Sequence, residues 1–354
     1  RLEEDTEEDD EPQGYAMQKT VNAVLAVLSV VLFFLTQPLV WCFRFVDWWT
    51  VLFVLLCGTA LAMLIWKRKE ENKVEETDEE NMEDFSQIIY KYCEKYIDAV
   101  ADVVPAIKIN SAFFEREHLE DLYFEVAYYA REKGLFVIGD IKRADIGSTS
   151  EAYAQAFLSA GMPFDAITIN PYFGTDGVMP FLKLAKENGK GVFVLVKTSN
   201  KSSAEIQDLE LKDGRKVYEA VADLVLEWMK EIDSESFGEG IIIPDEYPMV
   251  GAVVGATHPK QAEELVDQMG CTFFLVPGYG AQGATAYDVA VNFDIDGLGA
   301  IINSSRGIMN AYKKECWKDK FSEETWADAA RAEAIRATEE INQAINKYYG
   351  MRIC

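Results

Sequence analysis

Histidine is almost missing from this sequence: the 354 residues hold only His118 and His258, which leaves little material for a histidine triad or a histidine-rich metal site. Cysteine is thinly spread as well. Its six positions, Cys42, Cys57, Cys93, Cys271, Cys316 and Cys354, contain no CxxC or other metal-ligand spacing. No metal centre or disulfide framework is therefore expected, and a reducing compartment fits. Basic residues are outnumbered, 34 against 60 acidic ones, for a net charge of -26. Apart from Lys67, Arg68 and Lys69 no block of cations exists to grip a phosphate backbone, so no nucleic-acid partner is expected. A GxGxxG turn after the first apolar strand, usual in doubly wound dinucleotide-binding sheets, is absent too.

What the chain does have is sharply divided along its length. Residues 1–18 begin with "RLEEDTEEDDEP" and read as a solvated acidic tail. Two uncharged runs come next, Thr20–Phe43 and Trp48–Trp66. A helix rises about 1.5 Å per residue, so each run can cross a hydrocarbon core of about 30 Å. Trp41, Trp48, Trp49 and Trp66 flank them as interfacial aromatics, and Pro38 and the turn bearing Arg44 and Asp47 separate them. Residues 19–69 thus predict a transmembrane helical hairpin, with a lipid bilayer as partner of residues 20–66. The Lys67–Lys69 cluster outweighs Arg44, which orients the rest of the chain to the cytoplasmic side as a membrane-anchored domain. Residues 70–84 are an acidic linker.

From residue 85 to 345 the texture alternates. Apolar runs at Val103–Ile109, Leu135–Gly139, Ala166–Ile169, Gly191–Val196, Gly251–Val254, Thr272–Val276 and Leu298–Ile302 read as strands. Amphipathic segments such as "EDLYFEVAYYAREKG" lie between most of them, a βαβ pattern that predicts a parallel sheet. Polar residues cluster just after the strands, which favours an α/β fold of the (β/α)8 TIM-barrel type over an open doubly wound sheet. Seven strands are countable where a closed barrel has eight, so the barrel is expected to be incomplete at its N-terminus.

The strand ends carry the chemistry. Lys108 and Asn110 follow the first strand, Asp140, Lys142 and Asp145 the second, and Asn170 the third. "KTSN" (197–200), "PGYGAQG" (277–283) and "NSSRGI" (303–308) follow later ones. Interleaved ammonium and carboxylate groups hold one another charged. A lysine so placed can donate a proton to a carbon that gains negative charge, while the adjacent carboxylate disfavours a substrate carboxylate beside it. That combination suits a decarboxylation. The small residues of the last two loops let backbone N–H groups approach an anion, and Arg306 adds a charged fork, so these loops read as a phosphate grip.

"VPAIKINSAFFE", "FVIGDIKRADIGSTSEAYA", "FVLVKTSN", "GAVVGATHP", "FFLVPGYGAQG" and "GLGAIINSSRGI" together resemble the orotidine 5'-phosphate decarboxylase family over about residues 85–315. DxKxxD alone is shared with related sugar-phosphate enzymes; the combination is more specific. The resemblance implies a cofactor-free carboxy-lyase that converts orotidine 5'-monophosphate to UMP and CO2 in pyrimidine biosynthesis. It implies a charged tetrad of Lys108, Asp140, Lys142 and Asp145, with Lys142 as proton donor and Asp140 against the departing carboxylate. Asp145, Ile146 and Thr149 would reach the site of a neighbouring subunit, so a homodimer is expected. Ser199, or alternatively Thr198, would contact the pyrimidine, and Pro277, Gln282, Ser305 and Arg306 the rest of the nucleotide, with Gln282 and Arg306 on the phosphate. The family opens with a strand whose Leu-Asp-type end contacts the ribose, and no equivalent is legible ahead of Phe85. The alternative reading is a membrane protein whose hairpin is the functional part, fused to a truncated, inactive barrel.

Overall fold

The computed structural model of the chain describes residues 84–232, 247–270 and 272–352. The acidic tail, the expected hairpin at 19–69 and all of the linker but its last residue lie outside them. Among the described residues no helix is long and apolar enough to cross a membrane.

Among the described residues seven strands form one sheet in chain order: β1 Ala106–Asn110, β2 Phe136–Arg143, β3 Ala166–Ile169, β4 Gly191–Lys197, β5 Val250–Val254, β6 Phe274–Pro277 and β7 Ala300–Asn303. Every neighbouring pair is parallel. Parallel neighbours need crossovers, and helices supply them. In chain order these are α1 (84–100), α2 Ser111–Arg116, α3 Glu120–Glu132, α4 Gly147–Leu158, α5 Thr175–Glu187, α6 Ala204–Gln207, α7 Val217–Ile232, α8 Pro259–Met269, α9 Ala286–Ala290, α10 Ser305–Met309 and α11 Trp326–Arg352. The result is a seven-stranded near-barrel of the TIM type. Among the described residues β1 pairs only with β2 and β7 only with β6. The question of a preceding strand falls on residues ahead of 84, outside the described ones.

Both faces of the sheet are apolar, which is why its strands read as near-continuous hydrophobic runs. Alternation divides each run between two cores. Ile138, Ala166, Phe193, Val253 and Leu275 pack together in an inner cluster. Val137, Ile167, Val192, Val194, Val254 and Val276 face the other way and join the large cluster shared with the helices. The helices bury matching stripes, such as Ala262, Leu265 and Met269 of α8.

Six of the seven strands differ from expectation at one or both ends, and for β1 and β2 the local reason is plain. Residues 101–104 close the end of α1, with the Val103 and Val104 N–H groups bonding to the Val100 carbonyl, so β1 starts only at Ala106. β2 continues past Gly139 to Arg143 because its pairing with β3 shifts register between those residues. That bulge lies on the charged stretch.

Candidate active site

In β1 and β2 the residues Lys108, Asn110 and Asp140 share one side of the sheet, since Lys108 pairs in register with Ile138 and Asn110 with Asp140. The Asp140 carboxylate is 6% exposed and is the hub of the site. Its Oδ2 accepts from Lys108 Nζ at 2.5 Å and from Asn110 Nδ2 at 3.2 Å. Its Oδ1 accepts from Lys142 Nζ and, at 2.8 Å, from Thr168 Oγ1. Four donors thus occupy the roughly four lone-pair directions of a carboxylate.

Burial alone would push the Asp140 carboxyl up, yet the ammonium groups of Lys108 and Lys142 outweigh it and hold the group down to about 2. At neutral pH Asp140 is therefore an anion in a shielded place. Lys142 reaches it from a strained backbone: its φ is +46°, in the left-handed region that a lysine seldom occupies. Its N–H bonds to Thr168 Oγ1 at 3.1 Å, which anchors the bulge to β3. Lys142 itself stays 48% exposed, open to an incoming molecule, whereas Lys108 is almost enclosed.

The fourth residue of the predicted tetrad stands apart. Beyond the bulge, Asp145 belongs to the loop that enters α4, and its Oδ1 accepts the N–H of Ile146 at 2.8 Å. Among the described residues it makes no ion pair with Lys108 or Lys142. Ile146 and Thr149 are exposed at the start of α4. The chain therefore brings three members of the tetrad together, while the fourth bonds within its own loop.

Because all strands run in parallel, the later loops open at the same end of the sheet. After β4, Thr198 is occupied: its N–H donates to Gln207 Oε1 at 3.0 Å, and its hydroxyl donates to Asn200 Oδ1 while accepting from Gln207 Nε2. Ser199 is the residue left to face the next loop. Its Cβ, Gln282 Oε1 and Thr257 Cγ2 lie 3.3, 3.5 and 3.5 Å from where a Cβ on Gly278 would sit. With φ of +115°, Gly278 is also a position that L side chains rarely adopt. The loops after β6 and β7 start side by side, since Pro277 pairs with Asn303. Gln282 and Arg306 are both exposed, and Ser305 Oγ accepts from Asn303 Nδ2 at 3.3 Å.

Lys197 departs from its expected place at the strand-end mouth. The β4 to β5 register shifts between Leu195 and Lys197, which turns this side chain into the helix layer. There it is fully buried, bonds to Asp208 Oδ1 at 2.6 Å and lies over the Tyr218 ring. Asn170 is held in its own loop, its Oδ1 accepting the Tyr172 N–H at 3.0 Å. Two residues that the sequence reading passed over take part instead. Thr168 holds both Asp140 and the Lys142 backbone, and Thr257 Oγ1 donates to the Ser199 carbonyl at 3.1 Å. Only the alternation of Ala166, Ile167 and Thr168 could have flagged the first, as a hydroxyl on the inner face of an apolar strand.

Ser199 can lie where it does only because residue 255 lacks a side chain. A Cβ on Gly255 would come within 2.6 Å of Ser199 N and 2.7 Å of its Cα, both backbone atoms. Gly255→Ala is expected to displace this loop and raise KM by roughly tenfold, the scale of one lost hydrogen bond of about 1.4 kcal/mol. Steady-state kinetics checks this, and an unchanged KM would remove Ser199 from the binding surface.

Residues 78–317 match the family model described as orotidine 5'-phosphate decarboxylase / HUMPS family. A curated orotidine 5'-phosphate decarboxylase of Rhodopirellula baltica is 42% identical over 260 residues, spanning 71% of this chain and 82% of that protein. That of Clostridium tetani is 41% identical over 261 residues, spanning 73% and 85%. Among solved structures, the OMP decarboxylase of Leishmania donovani superposes with a TM-score of 0.57 at 30% identity, covering 73% of this chain and 89% of that one.

Proposed function

The chain belongs to the orotidine 5'-phosphate decarboxylase / HUMPS family, and from that premise we propose that it converts orotidine 5'-monophosphate to UMP and CO2, without a cofactor, in pyrimidine biosynthesis. The observation that carries this reading is the buried, ionised Asp140 between two ammonium groups. A substrate carboxylate brought beside this fixed anion is destabilised as long as it keeps its charge. The bond from C6 to the carboxylate carbon breaks, neutral CO2 leaves, and the electron pair remains on C6. The repulsion disappears in that step, so it favours the transition state over the bound ground state. The carbanion develops next to the Lys142 ammonium, which donates its proton to C6 and recovers one from water.

In this reading Gln282 and Arg306 hold the phosphate, Ser199 the pyrimidine, and Pro277 and Ser305 line the loops between. The site takes its second aspartate from another copy. Asp145 does not reach the trio of its own chain, and beside it Ile146, Tyr172 and Phe173 leave apolar side chains 54%, 80% and 51% exposed. Asp145, Ile146 and Thr149 then complete the partner's site in a homodimer. The purified protein should lower the absorbance of orotidine 5'-monophosphate on the long-wavelength side of its ultraviolet band, where the product UMP absorbs less. Lys142→Ala and Asp145→Ala proteins, each inactive alone, should regain up to about a quarter of the activity when mixed, because one of the two sites in a mixed dimer is intact. No turnover by the parent protein would defeat the decarboxylase reading; no recovery on mixing would defeat the shared site.

A further inference from the structure

Tyr279 occupies the middle of the loop after β6, yet its side chain points away from the strand-end residues and is 6% exposed. Its hydroxyl donates to Glu340 Oε2 of α11 at 2.8 Å. Its carbonyl accepts from Ser304 Oγ of the neighbouring loop at 3.3 Å. On either side, Gly278 and Gly280 take φ of +115° and +72°, so the backbone on both sides of the ring adopts conformations that side chains would resist. One aromatic anchor thus holds a glycine-rich loop.

Glu340 is itself held. Arg336 Nη1 donates to the same Oε2 at 2.6 Å, and the rest of that guanidinium grips Glu333 at 2.7 and 2.9 Å. Glu333 also accepts from Lys314 Nζ at 2.6 Å. That ammonium lies 3.7 Å from where a Cβ on Gly307 would sit, next to Arg306. Residues 333, 336 and 340 share one face of α11 at three- and four-residue spacing. The row touches one phosphate loop through Tyr279 and the other through Lys314.

We propose that the Glu333, Arg336 and Glu340 row of α11, acting through Tyr279, is a brace that presets the loops bearing Gln282 and Arg306 for the substrate phosphate. Tyr279 and Glu340 are positioning residues in this scheme and touch no substrate. The inference rests on the reading of these two loops as the phosphate grip. A phosphate remote from the reacting carbon contributes only if its ligands are already in place, and displacement of such groups by about 1 Å costs on the order of a hundredfold.

Tyr279→Phe removes the hydroxyl and keeps the ring. It is expected to lower kcat/KM for orotidine 5'-monophosphate by roughly ten- to hundredfold, mainly through KM, and to leave kcat/KM for orotidine, which lacks the phosphate, within about twofold. Glu340→Ala should do the same, and the double variant should be no worse than the weaker single one, because both break one contact. Retention of phosphorylated-substrate activity by Tyr279→Phe would overturn the brace, as would an equal fall for both substrates or additive losses in the double variant. A parent enzyme that treats the two substrates alike would instead overturn the phosphate reading itself.

Discussion

Lys142→Ala is expected to abolish turnover while leaving the barrel folded. Lys142 is half exposed, so its truncation empties no core position, and alanine keeps the Cβ at a backbone already held by Thr168. Asp140 retains Lys108, Asn110 and Thr168 as donors, so the anion is not stranded. The chemistry has no substitute. In the proposed mechanism Lys142 is a positioned general acid, a role worth on the order of a hundred- to ten-thousandfold, and it would also neutralise developing charge, so kcat should fall by roughly ten-thousandfold or more. Lys142→Arg separates the two roles: its cation still pairs with Asp140, but a guanidinium does not release its proton. Arginine should therefore preserve the melting temperature and restore little activity. Kinetics followed by ultraviolet absorbance, together with thermal unfolding, decides the matter; activity within tenfold of the parent for Lys142→Ala would defeat the assignment.

Glu333→Gln should produce the largest stability loss, and one that fades with acid. The Glu333 carboxylate is 1% exposed and accepts from Lys314, from Trp317 Nε1 and twice from Arg336. Burial would raise its pKa, but these donors outweigh burial and hold it down to about 2, from an ordinary value of 4.5. That gap corresponds to about 3 kcal/mol of folded-state stabilisation. Since the folded value is depressed, the contribution is fully present above pH 4.5 and is lost as pH falls towards 2. The variant should thus be less stable than the parent by about 3 kcal/mol at pH 7, with the difference shrinking below pH 4. Urea unfolding at several pH values measures it, and a gap that stays constant down to pH 2.5 would show that the carboxylate's charge is not what stabilises the helix.

Set against β1–β7, the seven apolar runs show how far local signals carry. Ala166–Ile169 matched residue for residue, and the other six runs had the right identity with shifted ends. Those shifts came from events that no single run records, such as the valines that close α1 and the bulge in β2. Lys108, Asp140 and Lys142 were legible because a charge at the end of an apolar parallel strand has few places to go. Asp145 was legible as a residue type but not in its partners, since in the loop after the bulge it accepts the Ile146 N–H and makes no ion pair with Lys108 or Lys142. Lys197 was misleading: alternation alone points it inward, and the register shift against β5 points it outward.

By itself, then, the amino-acid order determined the parallel α/β architecture and the candidate proton donor, because strand periodicity and strand-end position are properties of adjacent residues. Only the tertiary structure decided that Thr168 completes the shell of Asp140, that Lys197 leaves the site, and that Tyr279 ties the loop after β6 to α11. Each of those outcomes depends on hydrogen-bond geometry or register between segments distant in sequence, and such partners are selected by packing, which no local pattern encodes.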